Sequence, residues 1–255
     1  MQLVIDTDAQ SVTEKTDEGS RTVPLHSPES FRLINKHWVT VGWGQKYSYG
    51  FTWFGVPLIQ LPEDVIRIQE VIYRLKPDVI VETGVAHGGS LVFYASLCKA
   101  MGHGRIVGID IEIRPHNRQT ITEHALANYI TLIEGDSTAP KIVDEVRSHI
   151  KPGEKVLAIL DSNHSHEHVL KELHAYSPMV GVDSYIVATD GVMADLVGCP
   201  RADADWDWNN PQQAAQDFAA RDPRFAIEIP PRLFNESLVD EPVTYWPSAY
   251  LRRVA

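Results

Sequence analysis

Residues 78–110 read DVIVETGVAHGGSLVFYASLCKAMGHGRIVGID. The run DVIVET (78–83) is short, apolar and rich in β-branched residues, the pattern of a strand covered on both faces. It breaks at a glycine-bearing turn, residues 84–89. SLVFYASLCKAM (90–101) then carries apolar residues at helical spacing, and RIVGID (105–110) returns as a second strand. Strand, turn, helix and strand in immediate succession form a βαβ unit, whose strands pair in parallel through a right-handed crossover.

The same alternation continues in both directions. Upstream, Pro62 suits a first helical turn and VIRIQEVIYRL has helical periodicity. Downstream, helices are predicted over 116–127, 139–150 and 166–178, and strands over 130–135, 155–161 and 184–190. NNPQQAAQDFAARDP (209–223) has an Asn cap and a Pro at the helix start. RFAIEI (224–229) and SAYLRR (248–253) read as closing strands, an antiparallel pair. The predicted fold is α/β: a Rossmann-like, doubly wound sheet, mostly parallel, with a C-terminal antiparallel strand. The expected division is residues 1–60 as an N-terminal arm and aromatic flap, and residues 61–255 as the main domain. Residues up to about 25 are polar and read as a mobile arm. The segment 37–65 contains Trp38, Trp43, Tyr47, Tyr49, Phe51, Trp53 and Phe54. Such density implies burial, as a flap on the core, a substrate lid or a dimer contact.

A net charge of −11 disfavours nucleic acid as a partner, because phosphate binding needs a basic surface. No apolar run is long enough to cross a bilayer, so no membrane partner is expected. The first twenty residues lack a signal-peptide pattern, and two cysteines, Cys98 and Cys199, make no disulfide framework. The expected location is cytoplasmic. Cys98 lies in an apolar helical pattern and reads as a core thiol.

Ligands of doubly wound sheets sit at the carboxyl ends of the strands. Here the first strand ends at Glu82-Thr83-Gly84, and the motif is ExGxxxGG rather than the GxGxxG of pyrophosphate binders. An acid at that place repels a pyrophosphate but holds an amine, while the helix start offers bare N–H groups. S-adenosylmethionine (SAM) carries an amine, a carboxylate and a sulfonium, which suits this mixture. A purely structural glycine turn with an acid beside it explains the motif equally well. The second strand ends at Asp110 (110 − 82 = 28 residues on), where a carboxylate accepts ribose hydroxyls. The third ends at Asp136-Ser137, beside an adenine edge or as a plain helix cap. The fourth ends Asp161-Ser162-Asn163-His164-Ser165-His166-Glu167-His168, and the fifth Thr189-Asp190. Adjacent strand ends bring Asp161 and Asp190 together, and two carboxylates facing one point suit Mg²⁺ or a similar cation. His164 is placed to take a proton from a bound hydroxyl. His166 and His168 read as a solvated helix start.

The segments GQKYSYGFTW, IQLPEDV, VETGVAHGGSL, GIDIEIRPHN, ITLIEGDST, LDSNHSHEHVL and NNPQQA, in this order, resemble the cephalosporin hydroxylase/rhamnosyl O-methyltransferase family of class I SAM-dependent methyltransferases. The resemblance runs from about Trp43 to Arg253. It implies that Glu82, Gly84, Ala86, Ser90, Asp110, Ile111 and the Asp136-Ser137 turn hold SAM. It further implies that Asp161 binds Mg²⁺ with Asp190 and that His164 is the general base. Relatives often end the fifth strand in an acidic pair, and Thr189 departs from that pattern. The expected activity is O-methylation of a small-molecule hydroxyl, on a sugar or a natural-product scaffold, by a homo-oligomer. The alternatives are a nicotinamide oxidoreductase, a hydroxylase whose metal triad draws on His164, His166 and Asp161, and a non-catalytic SAM-binding protein.

Overall fold

The computed structural model describes residues 2–255. A three-stranded antiparallel sheet comes first: β1 (Gln2–Asp6), β2 (Ser11–Thr16) and β3 (Gly19–Pro24). This corrects the reading of a mobile arm. Val12 and Val23 pair across the sheet and are buried, and the Thr13 and Thr22 hydroxyls meet at 2.9 Å. Asp6 closes the first turn by accepting from the Asp8 and Ala9 amides. Alternating Val and Thr thus outweigh the polar composition once the strands pair.

Next come α1 (Pro28–Gly44), a short hairpin of β4 (Thr52–Trp53) and β5 (Val56–Pro57), and α2 (Pro62–Leu75). The main body follows: β6 (Val79–Thr83), α3 (Gly89–Met101), β7 (Arg105–Asp110), α4 (Pro115–Thr122), β8 (Ile130–Glu134), α5 (Pro140–Ser148), β9 (Val156–Leu160), α6 (His166–Tyr176), β10 (Tyr185–Ala188), α7 (Pro211–Arg221), β11 (Phe225–Ile227) and β12 (Tyr250–Arg253). The seven-stranded sheet has the order β11-β12-β10-β9-β6-β7-β8. Strands β8, β7, β6, β9 and β10 run parallel, and β12 lies antiparallel between β10 and β11. The order reverses between β6 and β9, which makes their carboxyl ends the switch point.

Strand residues alternate between two apolar cores. Ile80, Ile106 and Leu157 face α2 and α3, while Val79, Val81 and Ala158 face α5, α6 and α7. Cys98 is buried in the first core, where burial pushes its thiol up to about 11. The predicted helix over 116–127 ends earlier, at Thr122. Ile121 and Leu126 are both buried, and a spacing of five leaves them on different sides of a helix, so the chain turns to bring Leu126 inward.

Asp64, in the first turn of α2, ties this helix to the segment before β12. It accepts from the Tyr245 amide at 2.8 Å and from the Thr244 hydroxyl. Burial raises its carboxyl to about 8. Folded Asp64 therefore holds a proton that the unfolded chain releases near pH 4, so its contribution to stability is full below that pH and declines toward pH 8. Asp64→Asn keeps both an acceptor and a donor and removes the decline. Melting curves of the two proteins between pH 5 and 9 should diverge, with the variant gaining relative to wild type by several degrees as pH rises, about 2–4 °C per kcal/mol. Parallel curves would show that Asp64 is ionised in the folded chain.

Candidate active site

Each strand extends its ladder by one bond at its carboxyl end. The Gly84 amide bonds Ile109 O at 2.7 Å, Asp161 N bonds Thr83 O at 2.9 Å, Thr189 N bonds Leu160 O at 3.1 Å, and Gly135 N bonds Asp110 O at 2.8 Å. These bonds hold the ends of β8, β7, β6, β9 and β10 along one edge. Gly84 has φ +90, and a Cβ there would lie 1.9 Å from the carbonyl oxygen of Asp161. Its glycine serves the close approach of two strand ends.

Asp110 is half-buried at the end of β7. Its Oδ2 accepts from the Val85 and Ala86 amides at 2.8 and 3.1 Å, which shapes the glycine turn around it. Ala86 is exposed with φ 45, and Asn117 supports its carbonyl at 2.7 Å. Ile111, just past the end of β7, is 71% exposed. Asp136 is exposed and caps Thr138 through its amide and hydroxyl.

Two of the sequence-predicted residues point inward instead. Glu82 is fully buried, and Ser90 donates to its Oε2 at 2.6 Å. Burial, with repulsion from Asp161, pushes the Glu82 carboxyl well above the ordinary range. Ser137 is also buried and donates to Glu172 Oε1 at 2.5 Å. Glu172 accepts from Ser162 as well, at 2.7 Å, and holds His168 at 3.4 Å.

Asp161, His164 and Asp190 converge: one ligand atom from each lies within 4.8 Å of the others. His164 Nε2 is 3.5 Å from Asp190 Oδ2. Burial and then the nearby Asp190 raise the Asp161 carboxyl to about 7, and burial raises Asp190. Thr189 is buried. Its hydroxyl is 2.9 Å from Leu160 O and 2.7 Å from Asp161 Oδ1. The neutral residue thus holds Asp161 by its Oδ1. Two carboxylates that resist ionisation, with an imidazole beside them, form a donor set that a divalent cation would satisfy.

The solvated reading of His166 and His168 is corrected. His166 bonds Asp217 at 3.0 Å and is mostly buried, so it takes no part in a triad with Asp161. The pairing with Glu172 raises the pKa of His168. Two clefts, of about 1080 and 550 Å³, lie between α1, α2 and the 227–250 segment, and none of the strand-end acids lines them.

A family model, Rhamnosyl O-methyltransferase/CmcI, matches residues 45–254. The chain belongs to this family. The rhamnosyl O-methyltransferase of Mycobacterium leprae is 32% identical over 142 residues, covering 54% of this chain and 59% of that protein. That of Mycobacterium tuberculosis strain H37Rv is 28% identical over the same length, 54% and 56%. The match thus spans less than two thirds of these relatives. A structure of CmcI with Mg and SAM superposes with a TM-score of 0.54 at 21% identity, over 81% of this chain and 78% of that one. A putative caffeoyl-CoA O-methyltransferase from Staphylococcus aureus gives 0.52 at 16%, over 76% and 92%. At these identities the likeness establishes the fold alone, a mostly parallel α/β sheet with an antiparallel strand near its C-terminal edge.

The aromatic segment of the chain divides in two. Trp53 packs on Phe93 at 4.9 Å and donates to Ser96, and Trp43 meets Tyr245 and Trp206 edge-on. Trp38, Tyr47, Tyr49 and Phe54 stay 40–68% exposed. Two residues escaped the sequence reading altogether. Gln60 and Tyr94 are buried beside Glu82 with side-chain polar atoms that lack a partner. The signal for Gln60 was present: it is the lone amide in the apolar run VPLIQLP.

Proposed function

We propose that this chain is a SAM-dependent O-methyltransferase assisted by a divalent cation, acting on a sugar hydroxyl or a glycosylated natural product. One observation carries the reading: Asp161, His164 and Asp190 gather within 4.8 Å on the same sheet edge as the Asp110 turn. The family membership supports it, since the relatives in hand are named for rhamnosyl O-methylation. In this reading residues 61–255 are the methyltransferase domain and residues 1–60 an arm and flap. The exposed aromatics of that flap favour self-association.

SAM, when bound, would supply a methyl group on a positively charged sulfur. Asp161 and Asp190 would hold a divalent cation, which would supply Lewis acidity toward the acceptor hydroxyl. The chain does the rest. Asp110 holds ribose hydroxyls with the acceptor capacity left over from the Val85 and Ala86 amides. Ala86, Ile111 and the Asp136-Ser137 turn border the nucleoside, and Gly84 and Ser90 set the turn that receives the amino-acid end beside Glu82. His164 takes the hydroxyl proton, with Asp190 at 3.5 Å stabilising the imidazolium that forms. Thr189 keeps Asp161 turned, and the fixed edge supplies proximity.

The test is methyl transfer from isotopically labelled SAM to a panel of rhamnosides and other glycosides, with and without chelator. Transfer to one class of glycoside, at least tenfold slower after chelation and restored by Mg²⁺, is expected. Iron-dependent oxygen consumption with no labelled product would favour a hydroxylase. SAM binding with no transfer to any acceptor would leave a non-catalytic protein.

A further inference from the structure

Glu172 lies in α6 and is fully buried. Its Oε1 accepts from the Ser137 hydroxyl at 2.5 Å and from the Ser162 hydroxyl at 2.7 Å. Its Oε2 has no hydrogen-bond partner. A buried acid with one oxygen unpaired costs stability, and an apolar side chain would fill the same space without that cost. What sets the residue apart is the pair of groups that its Oε1 joins.

The two serines follow different strands. Ser137 comes directly after Asp136 in the turn beyond β8, and Ser162 directly after Asp161 beyond β9. In the sheet, β7 and β6 stand between β8 and β9. Three inter-strand steps separate the two strands by about 14 Å. Both hydroxyls nevertheless reach one oxygen, so the two turns lean together on the face covered by α6 and meet on its side chain. One turn further along α6, the Tyr176 hydroxyl donates to Ser137 O at 2.8 Å. The helix thus grips the β8 turn by side chain and by backbone. Its own start is held by Asn209, whose Oδ1 accepts from the His166 amide at 2.9 Å.

His168 completes the cluster. Its Nε2 lies 3.3 Å from each serine hydroxyl and 3.4 Å from Glu172 Oε1. A Ser–His–acid nucleophile needs its serine and its acid on opposite ring nitrogens. Here every contact falls on one nitrogen, and both serines donate to Glu172, so the cluster is a tie and not a reactive centre.

We infer that Glu172 is a positioning residue that ties the turn bordering the cofactor to the turn carrying Asp161, so that cofactor and cation bind cooperatively. The inference rests on the SAM and cation reading proposed above. Each ligand orders the turn that it touches. The shared oxygen passes that order to the other turn, and the second ligand then meets less of the ordering cost. The linkage is reciprocal: the cofactor tightens the cation by the factor by which the cation tightens the cofactor.

The experiment is calorimetry on the full chain, without acceptor. S-adenosylhomocysteine is titrated with and without saturating Mn²⁺, and Mn²⁺ with and without S-adenosylhomocysteine. The ratio of the paired affinities should be about fivefold or more in the wild type. Ser162→Ala and Ser137→Ala each remove one arm of the tie. Either should bring the ratio below about twofold, and the double variant should go no lower, because one lost arm already opens the tie. Glu172→Gln retains a carbonyl acceptor for both serines and should keep the ratio above about threefold. A purely structural role weakens each ligand equally in the presence and absence of the other. Alanine variants that keep the wild-type ratio, or a wild type that binds both ligands with no coupling, would overturn the inference. A wild type that binds no S-adenosylhomocysteine, or no Mn²⁺, would instead overturn the reading beneath it.

Discussion

His164→Ala should lower the turnover number by about 10²- to 10⁴-fold, the usual contribution of a general base, while SAM binds as in the wild type. The imidazole stands in the Asp161–Asp190 cluster, and its Nε2 lies 3.5 Å from Asp190 Oδ2. The residues proposed to border the cofactor, Asp110, Ala86 and Ile111, are left alone by the substitution. Mn²⁺ affinity, read by electron paramagnetic resonance, separates two roles for the ring. A base leaves metal affinity within about threefold, whereas a third metal ligand loses tenfold or more on replacement. Activity near wild type in the variant would remove His164 from the chemistry altogether.

Gly84→Ala is expected to be the most damaging single methyl in the sheet, costing about 3–5 kcal/mol of stability. The residue sits at φ +90, where an L side chain is strained, and the added Cβ would meet Asp161 O at 1.9 Å and Asp161 C at 2.6 Å. Both obstacles are backbone and cannot rotate away, so β6 and β9 must separate at their ends. That movement displaces Asp161, and metal affinity should fall with stability. Gly153→Ala is the control: its φ is +86 and nothing lies within 4 Å, so only the backbone term remains, about 1 kcal/mol. Urea unfolding of the two variants gives the comparison. Equal costs would mean that the strand ends yield easily and that the close contact has no structural weight.

The parallel body of the fold was legible because each strand is a compact apolar run followed by a helix of the right period. DVIVET, RIVGID and KVLAILD appear within a residue or two as β6, β7 and β9. The closing antiparallel strand was legible for the same reason. Strand-end position alone also brought Asp161, His164 and Asp190 together, since adjacent parallel strands must deliver their next residues to one edge. Tertiary partners decided the rest. The full burial of Glu82, with one oxygen held by Ser90 at the start of α3, is not legible from the strand pattern. Nothing in the sequence shows that the Ser137 hydroxyl is buried on Glu172, thirty-five residues on. The N-terminal sheet needs pairing of Val12 with Val23, which composition cannot reveal. Thr189, the departure from an acidic pair, has its role only once its hydroxyl is found on Asp161.

Cofactor and metal must share one stretch of the sheet edge for this chemistry to occur. The direct measurement is electron–nuclear double resonance on the Mn²⁺-loaded chain with SAM carrying ¹³C in its methyl group. A ¹³C coupling to Mn²⁺ that disappears in Asp161→Asn is the predicted result. Full occupancy by both ligands with no ¹³C coupling would place them apart and contradict the account.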